Sequence, residues 1–214
     1  MNKSTKYSGL IIIVLIAGLI SGFGLKKKDN KAYDYVITIS TEFGDMKLIL
    51  FDDTPIHKAN FIKLAEEGKY DSTTFHRIIN NFMIQGGMLK ARDMAGWDTL
   101  SFEQKTLPNE IMEKHKHIYG AVAAARTNNP EKRSDLSQFY IVNNPNGTHF
   151  LDNNYTVFGQ LMIGWDVLQK ISTTEVNNSA PLKPVYMTVK VDKVKRSELI
   201  RFYGDVYQKY HIGQ

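Results

Sequence analysis

Short runs rich in β-branched and aromatic residues, separated by turn residues, set the pattern of this chain from residue 35 onward. Residues 35–40 (YVITIS) read as a strand, Glu42-Phe43-Gly44-Asp45 as a turn and 46–51 as a second strand, together a hairpin. Thr54-Pro55 opens a helix, with threonine as N-cap and proline at the first helical position. Ile56, Ala59, Ile62 and Ala65 keep helical spacing, and Gly68 suits the position just past the end. Further β-prone runs follow at 74–79, 83–85, 121–125, 138–142, 157–160 and 187–194. A second helix is predicted near 165–171, with turn signals at Asn146-Gly147 and Asn153-Asn154. Many short strands with two helices predict a mainly β body, a closed barrel capped by helices. Residues 195–210 end the chain as a helix whose Leu199, Phe202, Tyr203, Val206 and Tyr210 share one apolar face, expected to pack back onto the domain.

The start of the chain departs from this pattern. Residues 7–25 carry no charge, and at about 1.5 Å per residue they span about 28 Å, close to a bilayer core. Lys3 and Lys6 precede the run, and Lys26-Lys27-Lys28 follow it. This predicts a secretory signal or an uncleaved membrane anchor, the anchor being favoured because the second lysine cluster suits a membrane edge. Lysines on both sides leave orientation open. Residues 1–32 are therefore assigned to signal or anchor plus a polar linker, 33–195 to the main domain and 196–214 to a helical extension.

Composition narrows the chemistry. The 214 residues contain no cysteine, which excludes disulfides, thiolate catalysis and cysteine-based zinc sites. With 43% hydrophobic and 23% charged residues, the chain supports a packed core. The net charge of +5 resides in the leader, where six lysines face Asp29 alone, so the remaining chain sums to about zero. Nucleic acid is accordingly not an expected partner.

Candidate chemistry concentrates in residues 75–87, FHRIINNFMIQGG. The run combines one arginine, large apolar side chains, a glutamine and a double glycine, without nucleophile or carboxylate. Strand alternation places Phe75, Arg77 and Ile79 on one face and His76 and Ile78 on the other. Read alone, Arg77 suits a surface salt bridge with the glutamines facing solvent.

The run resembles the central signature of the cyclophilin peptidyl-prolyl isomerases. SQFYIV (137–142) is similar to the family's second signature, and FLDNNYTVFGQL (150–161) to its third. The likeness covers roughly residues 33–194. It implies an eight-stranded antiparallel barrel capped by two helices, with Arg77 as the catalytic arginine. It implies substrate contacts at Phe82, Met83, Gln85, Ala125, Arg126, Gln138, Tyr140, Phe150, Leu151 and Tyr155. Phe150 stands where many members have tryptophan, Tyr155 where they have histidine, and Met88 where aspartate is usual. Residues 88–110 replace a glycine-rich loop, and 128–136 are longer and more charged than in compact members. His115 and His117 lack acidic or cysteine neighbours at ligand spacing, so they are expected to be solvated rather than metal-bound.

Rotating an X-Pro amide requires loss of C–N double-bond character, with a barrier of about 20 kcal/mol. A guanidinium aimed at the twisted nitrogen, or at the prolyl carbonyl, favours the twisted state over the planar one. A thousandfold acceleration requires about 4 kcal/mol and no cofactor. The expected partners are proline-containing peptides and unfolded proteins, plus a membrane through residues 7–25. A monomer in the cell envelope is expected, anchored or exported, with its body outside the cytoplasm. Two other readings are a proline-peptide-binding chaperone module with little catalysis, and a barrel with a deep interior cavity for a small apolar ligand.

Overall fold

The computed structural model describes residues 32–89 and 96–211. The predicted leader at residues 7–25 lies outside them. In chain order the elements are β1 (Tyr33–Thr41), β2 (Gly44–Leu50), α1 (Pro55–Glu66), β3 (Thr73–Ile79), β4 (Met83–Gly86), β5 (Thr106–Leu107), β6 (Ala121–Ala124), β7 (Ser134–Asp135), β8 (Phe139–Val142), β9 (Val157–Ile163), α2 (Trp165–Ser172), β10 (Val176–Asn177), β11 (Ala180–Pro181), β12 (Val185–Lys195) and α3 (Arg196–His211). Eight strands close a barrel in the order β1-β12-β3-β4-β8-β6-β9-β2, every neighbour antiparallel. Each predicted strand falls on one of them. The short pairs β5–β7 and β10–β11 stand apart from the barrel sheet.

Ile37, Met46, Leu48, Phe75, Ile78, Ile84, Val122, Ile141 and Leu161 fill one core cluster, to which α1 adds Phe61 and Leu64 and α2 adds Val167, Leu168 and Ile171. Side chains thus occupy the space that the apolar-ligand reading needs to be hollow.

Two details of α1 differ from expectation. Thr54 holds the N-cap position before Pro55, as expected, but its side chain makes no cap bond; its hydroxyl donates to Phe51 O at 3.3 Å. Glu110 caps it instead, one carboxylate oxygen accepting from the Ile56 amide and the other from the His57 amide, both at 2.9 Å. A carboxylate there also meets the positive end of the helix dipole. The buried face is His57, Phe61, Leu64 and Ala65, while Ile56 and Ala59 are exposed. The larger apolar groups and the His57 anchor decide which side turns inward.

The C-terminal helix α3 packs back on the barrel through Leu199 and Tyr207, against Val36, Ile49 and Met162. Phe202, expected on that face, is 68% exposed. Gly204 (φ 31°, ψ −109°) breaks the helix. Leu199, Tyr203 and Tyr207, each four residues apart, supply the inward face, and Phe202 falls outside that row. The side chains of Val206 and Tyr210 lie outside the described residues. The Tyr207 hydroxyl donates to Asp34 Oδ2 at 2.9 Å, and Lys58 Nζ donates to Asp34 Oδ1 at 2.6 Å. Asp34 is 1% exposed, so its carboxylate depends on such donors. Tyr207→Phe should lower stability by about 1–2 kcal/mol, the cost of one buried bond to a charged acceptor. A urea unfolding midpoint equal to the parent's would show that this bond contributes nothing.

Candidate active site

A β-bulge builds the first wall of the site. β3 and β4 pair as Ile79–Met83, Ile78–Ile84 and Arg77–Gln85, then slip so that the next pair is Phe75–Gly86, with His76 as the extra residue. The expectation that Phe75, Arg77 and Ile79 share one face is therefore incorrect. Phe75 and Ile78 both join the barrel core, whereas Arg77 is exposed and Ile79 packs in a separate cluster. Two residues opposing one reset the alternation and turn Arg77 away from the core.

That separate cluster consists of Phe51, Met83, Ala121, Ala123, Ala125, Tyr140, Val142 and Val157, with Phe82, Leu151 and Tyr155 among the residues packed against it. Strand register sets Gln85 opposite Tyr140, and Tyr140 opposite Ala123. A groove of about 180 Å³ lies here, lined by Arg77, Phe82, Met83, Gln85, Ala125, Arg126, Tyr140, Leu151 and Tyr155. Two candidates stand beside it. Phe150, 72% exposed, stacks on Phe82 with ring centroids 5.6 Å apart. Gln138 sits behind Gln85.

A chain of hydrogen bonds runs from Arg77 along the wall. Arg77 Nη1 donates to Gln85 Oε1 at 3.3 Å, Gln85 Nε2 to Gln138 Oε1 at 3.0 Å, and Gln138 Nε2 to Asp135 Oδ2 at 3.0 Å. The other Asp135 oxygen accepts from the Ser137 and Gln138 amides at 2.9 and 2.8 Å. Asp135 was not among the candidates. The signal available for it was an aspartate two residues ahead of Ser137, a side-chain turn pattern. Among the described residues, no carboxylate pairs with Arg77.

The histidines expected in solvent are buried, His115 at 7% and His117 at 0% exposure. His115 stacks on Phe51 and bonds Asp53 at 2.8 Å. His117 Nδ1 donates to Asp152 Oδ1 at 2.8 Å, leaving Nε2 to accept from the Tyr140 hydroxyl at 2.9 Å. Asp152 also accepts from the His117 amide and from His149. Their acidic partners lie 62 and 35 positions away, so local spacing could not reveal them. His117 thus ties the groove floor at Tyr140 to the segment carrying Phe150 and Leu151. Burial pushes the Tyr140 hydroxyl well above its usual range.

Burial holds His117 below its ordinary value of 6.5, outweighing the pull of Asp152. Burial also pushes Asp152 up, but the His117 amide and ring and the His149 ring together hold it below 3.8. In both cases the unfolded chain takes up its proton first as pH falls. Stability therefore drops below pH 6.5 through His117, and again below 3.8 through Asp152. His117→Gln should start less stable and show a shallower fall in Tm from pH 7 to about 5. A slope identical to the parent's would exclude His117 as a contributor.

A family model described as cyclophilin type peptidyl-prolyl cis-trans isomerase/CLD matches residues 36–191. A peptidyl-prolyl cis-trans isomerase of Dictyostelium discoideum is 33% identical over 153 residues, covering 71% of this chain and 94% of that protein. One from Acinetobacter baylyi is 33% identical over 189 residues, covering 82% and 90%. Among solved structures, a cyclophilin-type peptidyl-prolyl cis-trans isomerase of Cryptosporidium parvum aligns with a TM-score of 0.64 at 26% identity, over 75% of this chain and 98% of that one. Its structure in the presence of the dipeptide Ala-Pro aligns with a TM-score of 0.61 at 27% identity, over the same shares.

Proposed function

The chain belongs to the cyclophilin-type peptidyl-prolyl cis-trans isomerase family, and from that premise we propose that it accelerates X-Pro rotation with Arg77 as its catalytic residue. The observation that carries this reading is a guanidinium at the edge of an apolar groove, joined to Gln85 and to no carboxylate among the described residues. Its remaining N–H donors are free to meet the prolyl carbonyl or the amide nitrogen as that nitrogen becomes pyramidal.

Phe82, Met83, Tyr140 and Leu151 hold the pyrrolidine ring and exclude water, with Phe150 extending that surface through Phe82. Gln85 has one N–H engaged by Gln138 and keeps a second for a substrate carbonyl. Gln138, held by Asp135, fixes the position of Gln85. Ala125, Arg126 and Tyr155 form the rest of the lining.

The substrates are proline-containing peptides and unfolded proteins, met by a monomer in the cell envelope. The apolar run at 7–25 supports anchorage or export, with the body outside the cytoplasm. Among the described residues, no helix is long and apolar enough to cross a membrane. Membrane fractionation of cells expressing the full chain tests attachment.

NMR exchange on an X-Pro peptide tests the activity. Broadening from accelerated cis/trans exchange means catalysis. Shift changes without faster exchange mean a binding module and would overturn the proposal.

A further inference from the structure

The groove carries a second cation whose geometry is already set. The Arg126 guanidinium lies over the Tyr155 ring, 4.7 Å from its centroid. Its Nε donates to Asn154 O at 3.0 Å and its Nη1 to Thr127 O at 3.2 Å. These contacts fix the plane of the group and occupy two of its five N–H donors. Lys132 Nζ donates to Asn153 O at 2.8 Å. Successive carbonyls of one loop therefore hold two cations together, and Arg126 lines the same groove as Arg77.

Among the described residues, no carboxylate pairs with Arg126 or Lys132. Of the acids on adjoining segments, Asp152 keeps its charge but directs its oxygens to His117 and His149, and Glu131 lies beside Arg133 at 3.9 Å. Outside its leader the chain is neutral overall, so this local excess of positive charge departs from the average of the body. A guanidinium ordered in advance loses little freedom on meeting an anion, and the apolar wall beside it weakens solvent screening.

We propose that the groove prefers substrates with a carboxylate side chain on the residue adjoining proline, and that Arg126 reads that carboxylate. The inference rests on the isomerase reading above. A broad nucleic-acid surface does not fit, because the excess is confined to one rim of a neutral body.

The test uses the full chain and otherwise identical peptides carrying Glu, Gln, Ala or Lys immediately before or after proline. On one side of proline, kcat/KM for Glu should exceed that for Gln about fivefold at low salt, the size expected of a partly exposed ion pair. The ratio should approach one near 1 M salt, where screening acts within about 3 Å. Arg126→Gln should bring it to about one, and Arg126→Lys should keep part of it. Should Arg126→Gln turn over too slowly, the Glu-to-Gln ratio of binding constants from NMR titration provides the same comparison. A parent ratio of one on both sides, or a ratio that survives Arg126→Gln, overturns the proposal. Equal acceleration of Glu and neutral peptides defeats this inference alone, whereas acceleration of no peptide defeats the isomerase reading with it.

Discussion

Replacing Arg77 with alanine should lower kcat/KM on an X-Pro peptide about a hundredfold, the usual loss when a preorganised donor to a developing charge is removed. The same change should move folding stability by less than about 0.5 kcal/mol, because the side chain is exposed and lies outside the barrel core. Its hydrogen bonds, both from Nη1, reach only neutral acceptors, Gln85 Oε1 at 3.3 Å and Met83 Sδ at 3.7 Å. A planar amide offers this guanidinium little, whereas the twisted amide presents a more basic nitrogen and a more localised carbonyl. Arg77→Lys should recover only part of the loss, since lysine keeps the charge but not the planar fork. Exchange NMR measures the rate, and urea unfolding measures the stability. Parent-like exchange in Arg77→Ala would remove Arg77 from the mechanism. Loss of activity together with loss of the fold would make it a structural residue.

Gly87→Ala should destabilise the protein by about 3 kcal/mol, from a left-handed backbone penalty of about 1 and overpacking of about 2. Gly87 adopts φ 75°, and an added Cβ would meet Ser137 O at 2.8 Å and the Phe139 and Tyr70 rings at 2.9 Å. None of these neighbours has room to yield. Tyr70 and Phe139 belong to the barrel core, and the Tyr70 hydroxyl donates to the same Ser137 carbonyl at 3.2 Å. Displacing Ser137 would also move Gln138, which holds Gln85, so activity should fall with stability. Thermal and urea unfolding decide the first effect, and a loss below about 1 kcal/mol would show that the backbone relaxes around the new methyl group.

Much of the barrel was legible because its signals are local. Strand runs, turn glycines and the double glycine at 86–87 express preferences of a few neighbouring residues. The strand-by-strand outline needed nothing more. Arg77, Phe82, Met83 and Gln85 were legible through the resemblance of one short motif to the cyclophilin signature; read alone, Arg77 suited a surface salt bridge. Phe202 shows the limit of periodicity, since spacing allowed it on the apolar face while packing selected the row of Leu199, Tyr203 and Tyr207. The face of α1 shows the same limit, its register being set by a carboxylate more than forty residues beyond the end of the helix.

By itself, then, the sequence determined the strand runs and the residue types available to the groove, whereas the order in which the strands pair belongs to the tertiary structure. Tertiary structure alone decided which of those residues meet. It placed the bulge at His76, which sends Phe75 inward and Arg77 outward, because that slip depends on pairing with β4. It joined Asp135 to Gln85 through Gln138, and buried His117 between Tyr140 and Asp152. The physical reason is the same throughout: backbone preferences act over a few residues, whereas buried polar groups take whichever partners the folded chain brings within hydrogen-bonding distance.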